Sequence, residues 1–138
     1  MGKLSQRSKD NLLGVHPNLV KVIELAVIDS PIDFMVIEGV RETKRQQDLF
    51  AQGRTKPGKI VTYADGVKNK SNHQPKADNY GHAIDFVPII NGKVDWNNHN
   101  NFKIIADHIV ATGKKIGIKI VAGFYWKKPY DPPHLQLG

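Results

Sequence analysis

Apolar positions fall in short blocks separated by polar punctuation, and their period changes along the chain. Ser5 to Asn11 is polar and predicts a short helix, broken by Gly14-Val15-His16-Pro17. Pro17 suits the first turn of a second helix, where its missing N–H leaves no bond unmade. Leu19, Val20, Ile23 and Val27, with Leu25 one turn off, give that helix a broad apolar face to about Asp29, and Ser30-Pro31 ends it. Phe34 to Ile37, bounded by a turn signal and Gly39, predicts a buried strand. Thr43 is placed to cap a helix through Gln52, with Gln46 near the capping-box position and Gly53 as the stop. From Arg54 to Tyr80 the chain is rich in Lys, Asn, Gly and Pro and has little periodicity. A stretch of that length without regular structure in a compact domain is usually functional or mobile.

Alternation returns at Ala83 to Val87, a predicted strand with Ile84 and Phe86 on one face and Asp85 on the other. Asn91-Gly92 between Ile89-Ile90 and Lys93-Val94 is a hairpin signal. Asn100 or Asn101 can cap a helix from Phe102 to about Lys115, with Ile104, Ile105, His108, Ile109 and Ala111 on its buried side and Gly117 at its end. Ile118 to Val121 reads as a strand, Gly123 to Tyr130 as an aromatic loop, and His134 to Leu137 as a last short strand. Helices with a small antiparallel sheet, and no βαβ alternation, define an α+β fold in which helices flank the sheet. At 138 residues the expected organisation is a single domain, 1–138, with a real core.

Composition narrows the function. No apolar run approaches the roughly 20 residues that cross a bilayer, so no stable membrane insertion is expected. The N-terminus is polar and lacks the apolar centre of a signal peptide, so synthesis in the cytoplasm without export by the general route is expected. With no cysteine, any metal must be held by His, Asp or Glu. A formal net charge of +7 points to an anionic partner, nucleic acid or an anionic cell wall, unless it only keeps the protein soluble. The basic residues are scattered, and no cluster is interleaved with aromatics, which weakens the nucleic-acid reading.

The chemistry-bearing stretch is Ser71 to Phe86, with His73, Asp78, His82 and Asp85; a further histidine, His134, follows Asp131-Pro132-Pro133. Two imidazoles and a carboxylate suit zinc and leave a position open for water. Asp131, three residues before His134, is spaced to act as a base on such a water, and the prolines between them stiffen the pair. Each residue also has a structural reading. His134 can serve as a hydrogen-bonder before a strand and Asp131 as a turn former. Asp85 in an apolar strand is costly to bury without a partner, which a metal or a salt bridge to Arg41 would supply. His16 reads as helix-entry packing, His108 as a half-buried helix residue and His99 as a loop residue. Spacing alone leaves the choice among His73, Asp78 and His82 open.

Ser71-Asn72-His73, Gly81-His82-Ala83-Ile84-Asp85 and Asp131-Pro132-Pro133-His134 together resemble the motif Ser-x-His, Gly-x-Ala-x-Asp, Asp/Glu-x-x-His. It belongs to the peptidase family of bacterial D-alanyl-D-alanine carboxypeptidases and dipeptidases and phage L-alanyl-D-glutamate endopeptidases. Asn11 to Val20, Glu38-Gly-Val-Arg-Glu, the Asn91-Gly-Lys-Val-Asp-Trp hairpin, Trp126 and the His134-Leu-Gln-Leu ending are similar to its endolysin branch, so the resemblance spans nearly the whole chain. It implies a Hedgehog/DD-peptidase-like fold with zinc on His73, Asp85 and His134, and Asp131 as general base. It places Arg41 where a substrate carbonyl or carboxylate is held and the oxyanion stabilised. It puts Ser71 and Trp126 among the substrate contacts. One departure is the spacer, Gln74 to Tyr80, which is seven residues instead of the usual two. Either it loops out and His73 still binds, or Asp78 takes that place; the intact Ser-x-His favours His73. Tyr125 also stands where this branch often has an acidic residue.

The implied function is a zinc metallopeptidase that cuts peptidoglycan stem peptides at the L-alanyl-D-glutamate bond, as a monomeric phage-type endolysin. It would act at the cell wall with no nucleic-acid partner and would depend on a holin-like protein for access. The alternatives are a D-alanyl-D-alanine carboxypeptidase or dipeptidase, and a non-catalytic wall- or nucleic-acid-binding module.

Overall fold

The computed structural model describes residues 3–67, 70–127 and 130–138. Lys68 and Asn69 of the long loop, and Lys128 and Pro129 of the aromatic loop, lie outside the described residues. In chain order the elements are α1 (Gln6–Asn11), α2 (Pro17–Asp29), β1 (Asp33–Glu38), α3 (Thr43–Ala51), β2 (Ala83–Ile90), β3 (Lys93–Val94), α4 (His99–Lys115), β4 (Ile120–Ala122) and β5 (His134–Leu137), with a single 3-10 turn, Gly123–Tyr125, after β4. The strands form one antiparallel sheet in the order β1-β2-β5-β4, and β3 pairs with the far end of β2. This is the expected α+β architecture. No helix of the described residues is long and apolar enough to cross a membrane.

One face of the sheet carries the core. Ile84 and Phe86 of β2 and Leu135 of β5 are fully buried with Leu19, Val22 and Ile23 of α2 and Phe102, Ile105 and Ile109 of α4. Each such side chain withdrawn from water contributes roughly 1.5–3 kcal/mol, which offsets the entropy of ordering the chain. Helix α1 is polar for a different reason. β1 is an edge strand, and Ser8 Oγ accepts from Val36 N (3.0 Å) while Asn11 Nδ2 donates to Val36 O (2.9 Å). The helix thus covers backbone groups that an exposed edge would offer to another chain.

Several sequence expectations shift. Leu25 and Ala111 are exposed, and Val22 and Ala26, and Phe102 and Ala106, take the inward positions of the two long helices. Helix α4 begins at His99, not Phe102, because Asn98 is the cap: its side chain accepts from Asn100 N at 3.1 Å. His99 is therefore a helix residue. Thr43 is the first residue of α3 and caps nothing; its hydroxyl accepts from Gln74 Nε2 instead (3.3 Å). β4 starts at Ile120 because Ile118 N still closes the end of α4 on Gly113 O (2.9 Å). β2 runs past Val87 through Pro88. Pro88 pairs with Phe34 of β1 on one edge; on the other, where its carbonyl accepts from Asp95 N (2.9 Å), β5 pairs only with Ala83–Asp85 and β3 only with Ile89 and Ile90, so the missing N–H faces the gap between them. Asn91 and Gly92, with φ of 53° and 77°, form the hairpin turn as expected.

Candidate active site

Side chains alternate across a strand, so burying Ile84 and Leu135 against the helices turns Asp85 and His134 to the opposite face. Asp85 pairs directly with His134 across β2 and β5, and on its other side with Glu38 of β1. The β1 register shifts between Val36 and Glu38, and this irregularity is what places Glu38, rather than Ile37, opposite Asp85. A polar row, Glu38–Asp85–His134, therefore crosses three strands.

His73 reaches the row from the long loop. Its backbone carbonyl accepts from Arg41 N (2.8 Å), and its own N–H donates to Ser71 Oγ (3.1 Å). The spacer that follows leaves and comes back: His82 N donates to Asn72 O at 2.7 Å, and a Cβ on Gly81 would sit 2.9 Å from His73 O. Only glycine lets the returning chain pass that close to the start of its own excursion.

The ring nitrogens decide what the cluster can do. His73 Nδ1 faces Gly39 O at 2.9 Å, and His134 Nε2 faces Gln136 Oε1 at 2.7 Å. Gln136 Oε1 also accepts from Asn72 Nδ2 (2.8 Å), which fixes the orientation of that amide. Both imidazoles therefore donate their outer N–H to protein oxygens. Their other nitrogens, His73 Nε2 and His134 Nδ1, face each other at 3.2 Å and lie 3.3 and 3.6 Å from Asp85 Oδ1. Asp85 Oδ1 is the one buried side-chain polar atom with no hydrogen-bond partner among the described residues. Three acceptor atoms this close repel one another unless a cation or a proton lies among them. A tetrahedral ion with bonds of about 2.0–2.1 Å to nitrogen and oxygen needs ligands roughly 3.3 Å apart, so this donor set fits one.

Charges follow the same geometry. Burial works against the Asp85 carboxylate, yet the adjoining His73 and His134 outweigh it and hold its carboxyl well below the usual carboxylate range. Burial likewise opposes a charged His134, but Asp85, Gln136 and Asp131 overcome that and raise its pKa. Asp131 stands beside the cluster, its Oδ2 3.8 Å from His134 Nδ1. Burial first and the Asp85 charge second push its carboxyl up, against the pull of His134, His73 and Arg41. The Asp131–His134 turn is closed by His134 N on Asp131 O (3.1 Å) and seated on Gly123, where a Cβ would meet Asp131 O at 2.4 Å.

Arg41, Ser71, His73, Asp85, Trp126, Asp131 and His134 line one cleft of about 410 Å³. The Trp126 ring packs on that of His134 with centroids 4.9 Å apart. Arg41 does contact Asp85, Nη2 to Oδ2 at 3.7 Å, but its side-chain hydrogen bonds go to Glu38, Nε to Oε1 at 2.9 Å and Nη2 to Oε2 at 3.0 Å, and to Gln46, Nη1 to Oε1 at 2.8 Å. Asp78 and His82 are not brought to this cluster. They form a second one with His16, in which His82 Nε2 lies 2.7 Å and His16 Nε2 3.8 Å from Asp78 Oδ2. Sequence reasoning missed Glu38, Gln46 and Gln136. Of these only Gln136 carried a usable signal, lying one strand period beyond His134.

This is an α+β domain with a His–Asp–His cluster, of a donor set that fits a cation, on the open face of its sheet. The family model of phage L-alanyl-D-glutamate peptidase matches residues 1–134. The chain is 33% identical over 146 residues to the L-alanyl-D-glutamate peptidase of Escherichia phage T5, covering 98% of this chain and 97% of that one. It is 37% identical over 132 residues to the peptidoglycan L-alanyl-D-glutamate endopeptidase CwlK of Bacillus subtilis (strain 168), covering 89% and 73% respectively. The crystal structure of the Serratia marcescens L-Ala D-Glu endopeptidase ChiX superposes with a TM-score of 0.74 at 32% identity, over 99% of this chain and 90% of that one. The chain belongs to the phage L-alanyl-D-glutamate peptidase family.

Proposed function

We propose that this protein is a zinc metallopeptidase that hydrolyses the L-alanyl-D-glutamate bond of peptidoglycan stem peptides, in the manner of a phage endolysin. The observation that carries the reading is the convergence of His73 Nε2, His134 Nδ1 and the orphaned Asp85 Oδ1 beside Asp131 and Arg41. His73, Asp85 and His134 would hold the ion. Bound there, zinc supplies a Lewis acid for the scissile carbonyl and lowers the pKa of a coordinated water. Asp131 accepts the proton of the attacking water and delivers it to the leaving amine of D-glutamate. Its raised pKa serves both transfers, because a base must also release what it takes. Three of the five Arg41 N–H groups are engaged by Glu38 and Gln46, leaving one on each terminal nitrogen for a substrate oxygen. Ser71 and Trp126 contribute to the substrate-lining wall.

Every group of the site comes from one chain, so a monomer suffices. The formal charge of +7 favours an anionic envelope, and a separate holin-like protein would give access to the wall. The test is mass analysis of purified muropeptides after digestion. Fragments ending at L-alanine, with loss of activity on chelation and recovery with zinc, are the expected result. Release of free D-alanine alone would identify a carboxypeptidase instead, and wall binding that survives chelation without cleavage would identify a non-catalytic module.

A further inference from the structure

Gln46 lies on α3, fully buried, and none of its atoms belongs to the cation pocket. Both N–H groups of its amide and the oxygen are engaged. Oε1 accepts from Arg41 Nη1 at 2.8 Å, and Nε2 donates to Thr62 Oγ1 at 3.1 Å and to Ala64 O at 2.7 Å. The amide has one workable orientation. Turned over, its NH2 would face a guanidinium and its oxygen a carbonyl. Glu38 grips one edge of Arg41 through Nε and Nη2, and Gln46 fixes the remaining terminal nitrogen. The guanidinium is thereby held 3.7 Å from Asp85 Oδ2, short of a hydrogen bond to it. Thr62, Tyr63 and Ala64 line the same cleft as Arg41, so the far end of this one side chain is a cleft wall.

We propose that Gln46 is a positioning residue that sets the Arg41 guanidinium for substrate and locks it to the 62–64 wall, so that the two meet substrate as one rigid unit. The proposal rests on the reading of Arg41 as the group that holds the substrate oxygen. Gln46→Met keeps the volume and removes both links. Gln46→Glu keeps the acceptor toward Arg41 and removes the donors toward the wall.

With a muropeptide containing the L-alanyl-D-glutamate bond, Gln46→Met is expected to lower kcat on the order of 10- to 100-fold with zinc content unchanged. Gln46→Glu should keep most of kcat and raise KM. In an Arg41→Ala background, Gln46→Met should lower kcat by less than about twofold more, because its effect on kcat passes through the arginine. A full, multiplicative loss in that background would overturn the proposal. So would a Gln46→Glu protein that loses kcat with KM unmoved, a test that stands even if Gln46→Met does not fold. Arg41→Ala with wild-type turnover would instead sink the reading of Arg41 itself. Independently of activity, the slowly exchanging Arg41 Nη protons in NMR spectra should vanish in folded Gln46→Met; their persistence would refute the positioning role.

Discussion

The chain assembles the same set of side chains, two histidines and one aspartate, twice. His73, Asp85 and His134 sit beneath the cleft; His16, Asp78 and His82 sit at the surface. The outer nitrogens separate them. In the first group both imidazoles give their outer N–H to protein oxygens and turn bare nitrogens toward a carboxylate oxygen that nothing satisfies. In the second, His16 Nδ1 accepts from Asn18 N at 3.0 Å, capping α2, so its proton lies on Nε2, toward Asp78. His82 Nε2 donates to the same carboxylate, whose other oxygen takes Tyr80 N (3.0 Å). The Tyr80 backbone bond, with help from His82 and His16, lowers the Asp78 pKa against the opposing effect of desolvation. Asp78 is satisfied as an anion within its own cluster; Asp85 Oδ1 has no hydrogen-bond partner. Residue type and proximity are therefore not enough to define a candidate metal site, and which ring nitrogen each histidine's other partner leaves bare is decisive.

The sharpest way to break this contrast is to remove each carboxylate in turn. Asp85→Ala should take the protein from about one zinc per chain to none, and turnover with it. Asp78→Ala should leave ion content, by elemental analysis, and rate within about twofold. Loss of zinc in the Asp78 variant would invert the assignment. Next in size, Asp131→Asn should lower turnover by roughly 10²- to 10⁴-fold while the ion stays bound. Zinc loss there would make Asp131 a ligand rather than a base. Gln136→Met removes the oxygen that holds the His134 ring, and zinc affinity by competition titration should weaken about 10- to 100-fold.

The smallest effect is in pH. The folded pKa of His134 is raised above 6.5, so in ion-free protein its proton stabilises the fold fully below pH 6.5 and that contribution is lost as pH rises through the higher folded value. Zinc competes with that same proton, so the loaded protein should gain stability over the same window. Melting curves with and without zinc should thus diverge as pH rises; parallel curves would place the ion elsewhere.

Much of this was legible in the sequence because periodicity reports burial. The alternation at Ala83–Val87 set Asp85 opposite Ile84 and Phe86, and the helical period located α2 and α4. The family resemblance, not spacing alone, singled out residues that the fold does gather into one cleft. The cap of α4 was missed by two or three residues, since Asn98, Asn100 and Asn101 are chemically equivalent as caps and only the chain path selects one. Glu38 and Gln46 were missed for a deeper reason. The register irregularity in β1 and the return of the 62–64 segment onto α3 are long-range events, and no local pattern encodes which polar residue will face Arg41.

The closed neck formed by His82 N on Asn72 O, with Gly81 pressed against His73, separates the geometry of the pocket from whatever hangs beyond it. Residues 75–80 outside that neck are exposed, and lengthening a surface loop costs little once its ends are fixed. The tip near Ala77 is therefore a natural splice point, where a foreign epitope or a wall-targeting sequence could be grafted and the cation pocket would keep its shape.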